Sequence, residues 1–257
     1  MTPNNENNKK NLYTCNRESL NSFASYKNLT QGPLTITLNR GSSSASYMAQ
    51  PSYYLPIANP VWVIGPQYCL PYPVDLAIVR KVLTITDSNF TIADMNDNIL
   101  FKVKGRILAL HDRCTLLDPA GNPIVTLQQK IMTMHNRWQV FREESKDPAD
   151  LIFSVKRSSV FQLRTKLNVY LANNTAEEVC DFRVEGSLFQ RSCVIYAGES
   201  STIVAQMHQK HTTGSILFGK DRFMVTVYPH IDYAFIAALI VILGDINKEE
   251  DDAYWYA

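Results

Sequence analysis

Three features that often reveal a protein's location or chemistry are missing from this 257-residue sequence. The first ten residues, 1–10, contain no apolar stretch, so we expect no secretory signal peptide, and Thr2 stands where N-myristoylation needs glycine. The five cysteines are odd in number and form no Cys-x-x-Cys pair, which favours reduced thiols. The sequence therefore predicts a cytoplasmic protein, with the membrane surface or the nucleus as further locations, and not a secreted one.

The chain also lacks an excess of one charge sign. Its 25 basic and 24 acidic side chains give a net charge of +1, and residues 61–247 alone carry nineteen basic against eighteen acidic side chains. Nucleic-acid binding depends on a strong positive field, because most of its affinity comes from phosphate contacts. We therefore expect no direct contact with nucleic acid, and a DNA-binding regulator is the weaker alternative.

Recognisable catalytic motifs are absent as well. No Gly-x-Ser-x-Gly nucleophile elbow occurs in the chain. Residues Gly214–Lys220 have the spacing of a phosphate-binding P-loop, but Asp221 follows where a Ser or Thr must reach magnesium, and apolar residues fill the loop. These motifs predict no cofactor, while a catalytic pair among the scattered carboxylates stays open at this point.

Two further patterns imitate metal sites. Residues Asp94–Asn98 begin like a calcium-binding loop, yet Ile99 occupies the position that requires glycine, so a hairpin turn is the better interpretation. His208 and His211 lie three residues apart, a spacing that places them on opposite faces of a strand. The sequence predicts no metal site.

One stretch near the C-terminus is apolar on every side. Residues 233–243 leave no polar stripe at helical spacing, so a helix there must be buried. Asp232 is suited to cap its start, and Gly244 to end it. The run has about half of the roughly 20 apolar residues that a membrane span needs, which favours a helix in a protein core and predicts no transmembrane span.

Most of the preceding chain has the pattern of a β domain. Short runs of β-branched and aromatic residues alternate with turn residues from Val74 onward, as in barrels and sandwiches. An apolar helix after so many strands indicates a sheet curved around it. We predict a mainly β protein in which residues 57–247 form the barrel domain, 1–56 a disordered leader and 248–257 an acidic tail. The predicted strands are 82–86, 91–93, 99–103, 113–117, 124–128, 138–142, 151–155, 166–171, 180–184, 193–196, 201–205 and 223–228.

Residues 66–247 contain a series of ordered sequence blocks. They are Pro71–Lys81, Leu116–Pro123, Phe153–Ser159, Gly219–Asp221 with Val225–Pro229, and Asp232–Leu239. In this order the blocks resemble the plant LURP-one-related proteins. The resemblance implies a tubby-like fold, a closed antiparallel β-barrel of about twelve strands that encloses a central hydrophobic C-terminal helix. It also implies kinship with phospholipid scramblases and with the membrane-tethered transcription regulators of the tubby group, a role in plant defence, and no enzyme activity.

The resemblance also suggests a candidate ligand site. Residues Ser154–Ser159 and Thr165–Tyr170 are similar to the tubby segment in which Lys and Arg hold a phosphoinositide head group. Lys156 and Arg157 align with that basic pair, and strand alternation adds two more cations from the next strand. The candidate head-group residues are Lys156, Arg157, Arg164 and Lys166. The partner is then a phosphoinositide membrane surface; the alternatives are a solvated strand surface, a protein partner or a lipid-handling activity.

Overall fold

The computed structural model describes residues 59–80, 90–105, 113–130, 137–158, 165–187, 192–208 and 222–255. Several of the sequence-based predictions lie outside these residues. They are the leader 1–56, the strand 82–86, the P-loop imitation Gly214–Lys220, and the single residues Arg164 and His211.

Twelve antiparallel strands in the described residues form one closed barrel, which confirms the predicted fold class. Each strand pairs with its neighbour in the chain, and the first strand pairs with the last to close the ring. The strands are β1 (Val74–Arg80), β2 (Phe90–Ala93), β3 (Ile99–Lys104), β4 (Arg113–Leu117), β5 (Pro123–Lys130), β6 (Arg137–Arg142), β7 (Leu151–Arg157), β8 (Lys166–Leu171), β9 (Phe182–Ser187), β10 (Ser192–Ala197), β11 (Ile203–His208) and β12 (Arg222–Val227).

Strand β1 was missing from the predicted strands. Its sequence follows directly on a proline-punctuated aromatic stretch, and the prediction placed the first strand only at 82–86. In the structure β1 pairs on one side with β12 and on the other with β2. It is therefore the strand that closes the barrel.

The period-2 alternation of the strands separates the inside of the barrel from its surface. In β8, Leu167 and Val169 are fully buried, whereas Lys166 and Asn168, which alternate with them, are partly exposed. Successive side chains of a strand point to opposite faces, so an apolar inner face and a polar outer face follow from the sequence. The inner face needs a partner to cover it.

That partner is the C-terminal helix α1 (Tyr233–Trp255), which fills the barrel. Every residue from Ala234 to Leu243 is at most 4% exposed. Phe235 packs its ring against those of Phe153 and Phe182, at centroid distances of 5.1 and 4.8 Å. The prediction of a buried core helix is confirmed.

The predicted end of the helix at Gly244 is wrong, because α1 continues to Trp255. Glycine permits a left-handed closing turn but does not impose one. The barrel still surrounds the helix beyond this point, since Ile246 is 1% exposed. Packing therefore maintains the helical backbone through Gly244 against a local propensity cost of about 1 kcal/mol.

The start of α1 is fixed by Asp232, which is fully buried. Its Oδ1 accepts a hydrogen bond from the amide of Phe235 at 3.0 Å, which confirms the predicted N-cap. Its Oδ2 accepts three more, from the amides of Val63 (3.1 Å), Ile64 (2.7 Å) and Gly65 (3.0 Å). Burial raises the pKa of the Asp232 carboxyl, and the four amides oppose this rise because they stabilise the anion.

A segment before the barrel is thereby attached to the helix start. Val61 forms a parallel bridge with Ile231, and Cys69 an antiparallel bridge with Asp232. A short 3-10 helix at Pro66–Tyr68 separates the two bridges. Together these contacts hold residues 61–69 against the end of the barrel where α1 begins.

The buried helix leads to the first prediction, for Ala238→Asp. Ala238 is 0% exposed in the middle of α1, so the new carboxylate would lie in an apolar interior without a partner, at a cost of several kcal/mol. We expect the variant to be insoluble or unfolded. Expression, solubility and thermal unfolding measure this.

The control is Met95→Asp, which introduces the same group at a residue that is 54% exposed. It should melt within a few degrees of the unchanged protein. A soluble Ala238→Asp protein with a cooperative transition as high as that of the control would contradict the buried helix.

Candidate functional site

The candidate head-group residues do not share one face of the barrel. Lys156 pairs with Asn168 across β7 and β8, and both side chains lie on the outer face. Arg157 pairs with Leu167, which is fully buried, so Arg157 lies on the inner register. Lys166 is two residues from Asn168 on β8 and therefore shares the outer face with Lys156. Arg164 lies outside the described residues.

Arg157 contacts the helix instead of the surface. Its Nη2 donates a hydrogen bond to the backbone carbonyl of Ile246 at 3.4 Å. Ile246 belongs to the part of α1 that extends beyond the predicted helix end. Because side chains alternate along a strand, Lys156 lies on the outer face whereas Arg157 points inward and contacts the helix.

On the outer face, Lys156 belongs to a group of three charged side chains and one hydroxyl. We name it the Glu177 cluster: Arg137, Ser154, Lys156 and Glu177. Arg137 Nη2 pairs with Oε1 of Glu177, and Lys156 Nζ pairs with Oε2. The hydroxyl of Ser154 donates to Oε1 at 3.5 Å. Because the three ionised side chains are only 22%, 30% and 22% exposed, for Arg137, Lys156 and Glu177, water screens their attraction only in part.

Glu177 reaches this cluster from the connection between β8 and β9, residues 172–181, which folds back over the outer face. Its backbone is left-handed, with φ of 52°, and its amide donates to Oδ1 of Asn174 at 3.3 Å. The Asn174 side chain in turn donates to Oδ2 of Asp181 and to the carbonyl of Val179, both at 2.8 Å. Asp181 Oδ2 also accepts from the amide of Leu171 at 2.9 Å. These bonds shape the loop without using the side chain of Glu177.

A second group, the Glu185 cluster, lies beside the first on the same face and consists of Lys166, Arg183 and Glu185. Glu185 Oε1 is 3.4 Å from Lys166 Nζ and 2.8 Å from Arg183 Nε. The Arg183 guanidinium also stacks 4.8 Å from the ring centre of Tyr196. This cluster is more exposed to solvent than the Glu177 cluster, because the side chains of Lys166 and Glu185 are about two-fifths exposed.

An aromatic ring lies under one cation of the Glu177 cluster. Lys156 Nζ is 5.3 Å from the ring centre of Tyr170, a distance at which the face of the ring attracts the ammonium group. Burial raises the pKa of the Tyr170 phenol, so the ring is neutral at physiological pH. The Glu177 and Glu185 clusters together hold four cations against two carboxylates, which leaves them a formal charge of +2.

Sequence reasoning found two of these residues and missed the others. Lys156 and Lys166 were predicted, whereas Arg137, Arg183 and Glu177 were not. Arg183 and Glu185 could have been paired, because an i, i+2 spacing puts them on one face of a strand. Arg137 and Glu177 are 40 residues apart and meet only through the fold.

The calcium-loop imitation is a hairpin turn, as predicted. Asp94 Oδ1 accepts hydrogen bonds from the amides of Asn96 (2.8 Å) and Asn98 (2.9 Å). Hydrogen bonding, first from the Asn98 side chain, lowers the pKa of Asp94. Asp118 and Asn122 repeat the arrangement between β4 and β5. Both carboxylates are used by their own turns.

Within the described ranges no three His, Cys, Asp or Glu side chains are grouped so as to hold a metal ion. No helix of those ranges is both long and apolar enough to cross a membrane. The described cysteines are free thiols, and burial raises the pKa of Cys193 to about 12.

Comparison with protein families now identifies the group to which the barrel belongs. The family described as LURP-one-related matches residues 74–245, which is most of the chain and runs from β1 into α1. The chain belongs to the LURP-one-related family. The predicted resemblance is thereby confirmed.

Several LURP-one-related relatives come from Arabidopsis thaliana. Protein LURP-one-related 15 is 60% identical over 188 residues, which cover 73% of this chain and 87% of the relative. Protein LURP1 is 53% identical over 190 residues, covering 74% and 92%. A protein from the same plant with an X-ray structure is 52% identical, with a TM-score of 0.58 over 72% of this chain and 98% of that one.

The division of Lys156 and Arg157 between two faces leads to the second prediction. Arg157→Ala removes a side chain that packs inward and bonds to α1, so we expect the free energy of unfolding to fall by about 1 to 2 kcal/mol. Lys156→Ala removes a partly exposed ion pair and should lower it by only about 0.5 kcal/mol. Urea unfolding of the two variants measures the difference. Equal losses would contradict the assignment of the two residues to opposite faces.

Proposed function

We propose that this LURP-one-related protein is a non-enzymatic regulator that attaches reversibly to a phosphoinositide-bearing membrane surface through the outer face of β6–β9. The observation that carries the proposal is the excess of cations in the Glu177 and Glu185 clusters on that face, four against two carboxylates. Lys and Arg recognise phosphate through charge-assisted hydrogen bonds, and two of each are available there.

The arrangement favours a head group with more than one phosphate. Each cluster contains two cations and one carboxylate, so each keeps a net charge of +1. The clusters occupy neighbouring strands, which lie about 4.8 Å apart in a sheet. A ligand with two phosphates on one ring can therefore engage both clusters at once, whereas a single phosphate engages one.

The proposal includes a cytoplasmic location and a role in plant defence. Both were expected from the sequence, the second through the resemblance to LURP-one-related proteins, and membership of that family supports it. Reversible attachment to a membrane also fits the implied kinship with membrane-tethered regulators. In this account the barrel recognises and holds a surface and transforms no substrate.

The test is co-sedimentation of the full chain with phosphatidylcholine vesicles that contain or lack phosphatidylinositol bisphosphate, at low ionic strength, where electrostatic attraction is least screened. We expect binding only to the phosphoinositide vesicles. Lys156→Gln/Lys166→Gln removes one cation from each cluster and should weaken binding at least tenfold, a change of about 1.4 kcal/mol.

The matched control is Lys102→Gln/Lys104→Gln. It removes the same two charges from the outer face of β3, four strands away from β7 around the barrel. Equal weakening by both double variants would show attraction by net charge alone and contradict the assigned face. Absence of binding in the unchanged protein would overturn the proposal and leave protein partners as the better explanation.

A further inference from the structure

The two carboxylates on the outer face are held in different ways. Glu185 is part of strand β9, and its backbone pairs with its neighbours on β8 and β10. Glu177 belongs to the loop 172–181 and enters a group of donors whose other members are all fixed on strands. Of the two carboxylates, only Glu177 is therefore contributed by a loop and not by a strand of the sheet.

The donors around Glu177 form a complete anion site. A guanidinium binds one carboxylate oxygen, an ammonium binds the other, and the hydroxyl of Ser154 adds a third donor at 3.5 Å. Ser154 itself is only 4% exposed, so its hydroxyl is directed into the site and not into solvent. Two cations and a hydroxyl are a donor set that suits a phosphate group as well as it suits a carboxylate.

We propose that Glu177 is an internal ligand, which occupies the phosphate site between Arg137 and Lys156 and competes with the phosphorylated head group. The inference rests on the proposed function for its ligand class, and it adds the place where one phosphate binds and the residue that regulates access. The incoming phosphate takes the two cations, and the Glu177 carboxylate moves into water.

The loop is built so that Glu177 can leave without disturbing the barrel. The bonds from Asn174 to Asp181 and Val179, and from the amide of Leu171 to Asp181, do not involve the Glu177 side chain. The left-handed φ of 52° is uncommon for a residue with a Cβ, and both the side-chain contacts and the amide bond to Asn174 help to hold it. Release of the carboxylate frees that backbone to relax.

Charge also favours exchange. With Glu177 in place, Arg137 and Lys156 keep a net charge of +1, and without it they present +2. A phosphate monoester carries close to two negative charges at neutral pH and so neutralises the pair better than one carboxylate does. Occupation by Glu177 should therefore weaken attachment to the membrane without abolishing it.

The decisive variant is Glu177→Gln, which keeps the size of the side chain and removes its charge. We expect it to bind phosphatidylinositol bisphosphate vesicles about tenfold more tightly than the unchanged protein. Soluble inositol trisphosphate should show a gain of similar size, measured by calorimetry. A gain confined to vesicles would contradict competition for the phosphate group itself.

The control variant is Glu178→Gln, which changes the same charge on the next residue of the loop. Glu178 is exposed and makes no ion pair with the described residues. It should alter binding less than about twofold, because its exposed carboxylate contacts neither Arg137 nor Lys156 and so does not occupy the site. Equal gains in binding for both variants would overturn the inference, because the net charge of the protein alone would then explain the gain.

The outcomes separate this inference from the proposed function. Phosphoinositide-dependent binding that is the same in the unchanged protein and in Glu177→Gln overturns the internal ligand and leaves the proposed function intact. No binding by either protein overturns both. In Lys156→Gln/Glu177→Gln the gain should disappear, because a cation of the site is gone.

A second measurement needs no variant and so does not depend on how Glu177→Gln folds. Inositol trisphosphate added to the unchanged protein should speed amide hydrogen exchange at residues 175–178, because Glu177 leaves its site. Exchange in β7 and β8 should stay as it was. Binding with unchanged exchange at residues 175–178 would overturn the inference.

Discussion

A single buried carboxylate connects the parts of this fold. Asp232 accepts four amide hydrogen bonds, one from the first turn of α1 and three from residues 63–65, which are 167 to 169 positions away in the chain. Burial of a carboxylate is unfavourable unless its oxygens find donors, and burial of backbone amides is unfavourable unless they find acceptors. Here the Asp232 carboxylate and the four backbone amides satisfy one another. The helix must therefore begin where all of these hydrogen bonds can form.

The position of the helix determines where the protein can act. With α1 inside the barrel, the inner face is covered by apolar contacts such as those of Phe235 with Phe153 and Phe182. The charged clusters lie on the outer face, at Glu177 and Glu185. Recognition of a surface fits that placement well, since ligands can approach the strands from outside. The same alternation that buries Leu167 exposes Lys166 beside it.

Local patterns in the sequence predicted the elements, and the family resemblance supplied the closed barrel. The apolar run 233–243 predicted a core helix, Asp232 its cap and the short β-rich runs a β domain curved around the helix, and all of these are found. The helix end at Gly244 was not predictable, because packing inside the barrel decides it. For the site, Lys156 and Lys166 were predictable from alternation, whereas the pairing of Arg137 with Glu177 depends on a loop that folds back over the strands. The three hydrogen bonds that the amides of residues 63–65 donate to Asp232 were missed for the same reason, because contacts between distant residues leave no local pattern.

The attachment of residues 63–65 to the helix start depends on the carboxylate of Asp232. Asp232→Asn tests it, because the amide keeps the shape of the side chain but replaces one acceptor oxygen with a donor that opposes the backbone amides. Urea unfolding combined with hydrogen exchange at the amides of Val63, Ile64 and Gly65 is the direct measurement. We expect the free energy of unfolding to fall by about 3 kcal/mol and exchange at these amides to accelerate. Unchanged stability with protected amides would contradict the account.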